Sequence, residues 1–185
     1  MNKAFVVAVP QEVDNLKKIK NIPIFYTGIG KLNAILTTSK LICNGYDEII
    51  NIGSCGSKKI SSGTLIKVGK SYEDIDVSPI FKYGISNVND LEHIDIDINS
   101  KYSCFSTDYF FDNTQVSKYS QDYLSMIERC DIFDMECFSH AKICKLYNIK
   151  FSSYKWVSDD GSHNSWIENC KIGFNSFLKE FDYFL

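Results

Sequence analysis

The sequence predicts an α/β fold, with helices on both faces of a central mixed, largely parallel sheet. Two observations carry that prediction. Short apolar runs without polar alternation, "AFVVAVP" (4–10), "IPIFYTG" (22–28) and "DEIINIG" (47–53), suit strands buried on both faces. Segments of helical period lie between such runs, and that alternation places helices against a parallel sheet.

In order along the chain, "AFVVAVP" closes on a proline and "IPIFYTG" runs into the glycines of "GIGK" (28–31). Residues 31–43 space Leu32, Ile35, Leu36 and Ile42 as a helix does and stop at "NGY". The third strand runs into "SCGS" (54–57), and "TLIKVGK" (64–70) reads as a fourth. Residues 71–103 resist assignment, with charged alternation such as "HIDIDI" and little helix. A short helix fits 119–129, a strand fits "CDIFDM" (130–135), a helix 137–147, and a last strand "KFSSYKWVS" (150–158). The tail reads as one helix, whose Trp166, Cys170, Phe174, Phe177, Leu178, Phe181 and Leu185 form a single apolar stripe for the core.

The 185 residues suit one domain spanning 1–185, and 44% hydrophobic with 14% aromatic residues is a core-forming composition. A net charge of −3 with scattered basic residues predicts neither nucleic acid nor a membrane surface as partner. The densest basic run, "NLKKIK" (15–20), reads as a solvated helix end. Seven cysteines without a CxxC pair fit a reducing compartment, so the protein is expected in the cytoplasm. His93, His140 and His163 lie too far apart to suggest zinc, and neither metal nor cofactor is expected. No apolar run approaches the ~18 residues of a membrane helix. A strand starting by residue 4 leaves no room for a signal peptide.

In sheets of this kind ligands bind beyond the carboxyl ends of the strands. Glu12 follows the first strand, Gly28 and Gly30 the second, Ser54 to Gly56 the third, and Glu136 and Asp159 the last two. Each has an ordinary reading: turn glycines, a helix N-terminal charge at 136, a capping turn at "SDD" (158–160), an exposed helix residue at 12. Together, five strand ends carrying glycines or carboxylates have the distribution of a site.

The set "VPQEV" (9–13), "TGIGK" (27–31), "NIGSCG" (51–56), "VGKSYEDIDV" (68–77), "STDYFFDN" (106–113), "DMECFSHA" (134–141) and "VSDD" (157–160) resembles the nucleoside phosphorylase superfamily. Within it, the chain is most similar to the 5′-methylthioadenosine/S-adenosylhomocysteine nucleosidases. The resemblance implies a three-layer αβα phosphorylase-like fold and hydrolysis of 5′-modified adenine nucleosides to free adenine, in nucleoside catabolism and methionine salvage. It implies that Glu12 deprotonates the attacking water and that Asp159 protonates the purine N7. Met135 and Glu136 would hold the ribose, Phe110 would stack on the base, and the Phe111 backbone would read the purine edge. Ser54 with Gly28, Gly30, Gly53 and Gly56 would line the nucleophile pocket. Lys155 stands where the family often has an arginine near the ribose. Asp134 reads as a helix N-terminal charge, and Trp156 and Asp160 are expected to raise the Asp159 pKa. The implied partners are a small purine nucleoside and a second copy of the chain in a homodimer.

Related phosphorylases carry an arginine two residues before the "GS" and another in the first loop. Here Asn51 and "PQEV" stand there, and Glu12 would repel phosphate, which favours water as nucleophile. The chain is short for the family. Val13 to Gly28 has room for one strand instead of a helix and hairpin, and a long helix is missing between Val77 and Ser106. Thr114 replaces an expected glycine. A phosphate-dependent phosphorylase and a non-catalytic nucleoside-binding module stay open. So does the 5′ substituent, among methylthio, homocysteinyl, 5′-deoxy and aminofutalosine-type groups.

Overall fold

The structure, a computed structural model, describes residues 2–181. Its first half contains β1 (Lys3–Val7), β2 (Lys18–Ile19), β3 (Ile22–Tyr26), α1 (Lys31–Cys43), β4 (Glu48–Gly56), β5 (Leu65–Lys67), β6 (Lys70–Glu73) and β7 (Ile94–Asp95). There follow β8 (Ser103–Ser106), α2 (Gln121–Arg129), β9 (Ile132–Asp134), α3 (Cys137–Leu146), β10 (Lys150–Asp159), α4 (His163–Asn169) and α5 (Phe174–Phe181). One parallel group runs β3–β1–β4–β10 and a second runs β9–β8–β6, while β2, β5 and β7 are antiparallel edges. The groups join where Gly56 of β4 pairs with Phe133 of β9.

Alternation along β1 sets the layers, because successive side chains of a strand leave opposite faces. Ala4 and Val6 pack with Ile49 against Leu41 of α1 and Cys144 of α3. Phe5 and Val7 pack the other way, with Ile50, Ile52 and Trp156, against Phe174, Phe177 and Phe181 of α5. Helices therefore cover both faces of a mixed, largely parallel sheet, as predicted. No helix among the described residues is long and apolar enough to cross a membrane.

Three local expectations need correction, and one unassigned region resolves. The "NLKKIK" run is no helix end: Asp14 and Asn15 take left-handed backbone (φ 51° and 60°) and turn the chain into β2. Val13 to Gly28 accommodates a hairpin, with Ile19 opposite Ile22, and not just one strand. The region 71–103, with no clear assignment from sequence, contributes the end of β6, the two residues of β7 and the start of β8. In β8, "SCFS" hides as a polar segment because its buried serines pair out of sight, Ser103 with Asp131 and Ser106 with Asp134.

The last correction is the tail, which is two helices. In one continuous helix the Cys170 carbonyl would accept the Phe174 N–H. Here the indole of Trp156 donates to that carbonyl at 2.7 Å, and Phe174 bonds Lys171 instead. Gly173 lies against the same indole. The break leaves Phe174, Phe177 and Phe181 in the core and releases Trp166, half-buried, to another surface. Leu185 lies outside the described residues.

A Cβ on Gly173 would stand 2.2 Å from the Trp156 Cβ. Gly173→Ala is therefore expected to destabilise by about 1–3 kcal/mol, seen as a lower urea midpoint at unchanged slope.

Candidate active site

The carboxyl ends of β1, β4, β9 and β10, with the loops after them, surround a cavity of about 300 Å³. That is the small end of ligand sites, roughly 300–1,000 Å³. Four carboxylates line it, Glu12, Asp134, Glu136 and Asp159, facing an aromatic wall of Tyr109, Phe110, Phe111, Phe133 and Trp166.

Glu12 stands on the short 3-10 turn after β1 and is buried, not the exposed helix residue of the ordinary reading. Its Oε1 accepts the Ser54 backbone N–H at 2.7 Å and the Ser54 hydroxyl at 2.6 Å; Oε2 accepts the Val9 N–H at 3.2 Å. The carboxylate lies over Gly53, where a Cβ would come within 3.0 Å of Oε1. Burial raises the Glu12 pKa, opposed by Lys155 and the Ser54 bonds.

Glu136 immediately precedes α3, and its Oε1 accepts the Gly30 N–H at 2.9 Å at the start of α1. Burial pushes its pKa up to about 8; Lys155 opposes the shift, and Asp134 and Glu12 add to it. Asp134 caps α3 by accepting the Cys137 N–H at 3.0 Å, which agrees with its reading as a helix N-terminal charge. It also takes the Ser106 hydroxyl at 2.6 Å and the Lys155 ammonium at 2.7 Å. Burial pushes Asp134 upward, but Lys155 and these bonds outweigh it and hold the pKa low.

Lys155 itself is only 2% exposed and does not line the cavity, contrary to its placement beside a ribose. It sits behind the carboxylates, 2.7 Å from Asp134 and 4.0 Å from Glu136. β10 turns this side chain inward, where only ion pairing makes a buried ammonium tolerable.

Asp159 ends β10, with Oδ1 accepting the Gly161 N–H at 2.9 Å and Oδ2 the Ser158 hydroxyl at 2.7 Å. Its pKa is raised, by burial first and by Asp160 in addition. Trp156 does not share the cavity, since its ring belongs to the core under α5. The aromatic groups that do share it include Phe110, Phe111 and Trp166. Phe110 is 36% exposed, whereas the Phe111 ring is buried against Tyr119 and Phe133.

Ser54, Gly56 and Met135 line the cavity, while Gly28, Gly30 and Gly53 do not. Gly30 contributes its N–H, Gly53 the space under Glu12, and Gly28 a turn whose N–H bonds the Ala8 carbonyl at 3.0 Å. Sequence reasoning missed Trp166 and His163. The stripe pattern hid Trp166, although its place seven residues beyond a strand-end aspartate was an available signal. Among the described residues, Cys104, Asp134 and Cys137 bring three possible metal-ligand atoms within 4.8 Å of one another. Asp134 is already engaged there by an ammonium, and burial holds the Cys104 thiol well above its usual pKa, so the cluster is ill suited to a cation.

The sequence matches no protein-family model and no curated protein. Solved structures do match. A Helicobacter pylori methylthioadenosine nucleosidase variant with 5′-methylthioadenosine in its active site superposes with TM-score 0.82 at 16% identity, over 99% of this chain and 98% of that one. The futalosine hydrolase of the same species gives 0.79 at 15%, over 96% and 95%. The Neisseria meningitidis 5′-methylthioadenosine/S-adenosylhomocysteine nucleosidase bound to methylthio-immucillin-A gives 0.77 at 19%, over 97% and 96%. The likeness establishes a shared fold.

Because the Glu136 pKa is raised on folding, its contribution to stability is full below about 4.5 and is lost as pH rises towards about 8. Urea unfolding across that window should show wild-type stability falling more steeply than that of Glu136→Gln, by at most roughly 1.4 kcal/mol per pH unit. Equal slopes would show that Glu136 ionises normally. Lys155→Met, which strands Asp134 beside Glu136, should cost about 3–5 kcal/mol in the same measurement at neutral pH.

Proposed function

We propose that this protein is a purine nucleosidase, hydrolysing the N-glycosidic bond of 5′-modified adenine nucleosides of the methylthioadenosine/S-adenosylhomocysteine type. One observation carries the reading. Asp134 is committed to Lys155, which leaves Glu12, Glu136 and Asp159 around one aromatic-walled cavity whose described lining includes no lysine or arginine.

Glycosidic cleavage builds positive charge on the sugar and negative charge on the departing base. Glu136 faces the first. Ribose hydroxyls donating to it would favour its ionised form, so the bound sugar charges the carboxylate that then stabilises the sugar cation. Asp159, with its raised pKa, supplies a proton to N7 as the C1′–N9 bond breaks. Glu12 takes a proton from the water whose oxygen bonds C1′. The products are adenine and the 5-substituted ribose.

Water is favoured over phosphate because a dianion would meet Glu12 and no lining cation. Asn51, in the position of the phosphorylase arginine, is buried within the sheet and engaged with Ser153 and Val6. The apolar remainder of the lining, including Ala8, Val9 and Ile29, suits an uncharged 5′ group such as methylthio. The nucleosidases of the same fold, one holding 5′-methylthioadenosine, support the substrate class. The reading extends to a cytoplasmic homodimer in methionine salvage. Ile29, Tyr109 and Phe110, exposed beside the cavity, offer a second copy an apolar surface.

The test is free-base release from 5′-methylthioadenosine, S-adenosylhomocysteine, 5′-deoxyadenosine, adenosine and inosine, with and without phosphate. Adenine release without phosphate is expected, with kcat lowered about 10²–10⁴-fold in both Asp159→Asn and Glu12→Gln. Phosphate-dependent release would make the protein a phosphorylase. Binding without release would make it a nucleoside-binding module.

A further inference from the structure

We propose that Trp166 is a positioning residue for Glu12, acting through the hydroxyl of Ser54; the inference rests on the hydrolase reading above. The Trp166 Nε1 lies 3.1 Å from Ser54 Oγ, which lies 2.6 Å from Glu12 Oε1. An indole N–H can only donate, so Ser54 Oγ accepts from it. The single Ser54 proton is then directed to Glu12, whose carboxylate in turn only accepts. Donor and acceptor roles are thus fixed along the whole chain from Trp166 to Ser54 to Glu12.

The consequence falls on Glu12. Its Oε1 already receives the Ser54 N–H and O–H, which fills both lone pairs. Oε2 holds only the Val9 N–H and keeps a lone pair for the proton of an attacking water. Without the indole donor, the Ser54 hydroxyl would be free to rotate, and which carboxylate oxygen is available would no longer be set. Trp166 is itself held by its ring, stacked on His163 at 6.2 Å and edge-on to Phe110 at 6.4 Å. The alignment of the base therefore depends on α4 being seated against the Phe110 loop.

Two measurements test this, and the first needs no activity. The chain has two tryptophans, whose indole N–H groups give two ¹⁵N-resolved proton resonances. Trp166→Phe assigns them by deletion. In Ser54→Ala the Trp166 resonance should shift and exchange faster with solvent, while that of Trp156, bonded to the Cys170 carbonyl, stays. The second is steady-state hydrolysis of 5′-methylthioadenosine by variants whose unfolding midpoints match wild type. Trp166→Phe keeps an aromatic wall and loses the donor. Its kcat should fall about five- to tenfold, the worth of one neutral hydrogen bond, with KM within about twofold. The double variant with Ser54→Ala should be no slower than Ser54→Ala alone.

An unmoved Trp166 resonance, a change in KM alone, or effects that multiply in the double variant would each overturn the proposal. A wild-type protein inactive on every nucleoside would overturn the hydrolase reading only, and the relay would then stand or fall on the indole resonance.

Discussion

The buried ion pair between Lys155 and Asp134 is the interaction on which the rest of the site depends. Lys155 belongs to β10, Asp134 ends β9, and Asp134 also caps α3 through the Cys137 N–H. The residue before α3 is Glu136, which reaches the Gly30 N–H at the start of α1. One ammonium thereby ties together two strands from different parallel groups and the starts of two helices. A buried pair of this kind adds little net stability compared with an apolar pair, but removing one member is costly. Its value here is geometric.

The same pair sets the charge state of the cavity. Asp134 holds Lys155 most closely, and although Lys155 still opposes the shift at Glu12 and Glu136, burial outweighs it, so that Glu12, Glu136 and Asp159 all have raised pKa values. Raised carboxylates are reluctant to ionise in an empty pocket and ionise when a ligand donates hydrogen bonds to them. A neutral, hydroxyl-rich ligand suits such a pocket better than an anion does.

The two tryptophans divide structure from site. Trp156 points into the core, takes the Cys170 carbonyl and ends the first tail helix. That break lets α5 follow the core while α4 turns Trp166 across the cavity to Ser54. The Trp166 part of the aromatic wall and the hydrogen-bond chain to Glu12 both follow from one interrupted helix.

The elements that stood out in the sequence were those whose signal is local. Residues 31–43 form a helix as predicted, although Leu32 and Leu36 of the expected apolar face are exposed and Ala34, Thr38 and Leu41 take the buried side. The apolar runs containing Phe5, Ile24 and Ile50 form strands, because burial on both faces demands uninterrupted hydrophobicity. Glu12, Glu136 and Asp159 were visible as carboxylates placed where apolar strands end, and they share one cavity. What depended on a distant partner was not visible. The serines of β8 are buried because Asp131 and Asp134 lie 28 residues away in sequence, and Lys155 is turned inward by Asp134 on another strand. Trp166 carried a helical period and so resembled core; the Trp156 indole, meeting a carbonyl that a helix would have used, decided otherwise. Periodicity reports the kind of element, and only in part which of its side chains leave water. Which buried polar groups meet one another is decided only when strands distant in sequence are brought side by side, because a buried charge or hydroxyl is stable only beside a partner and the partner's position is a property of the fold.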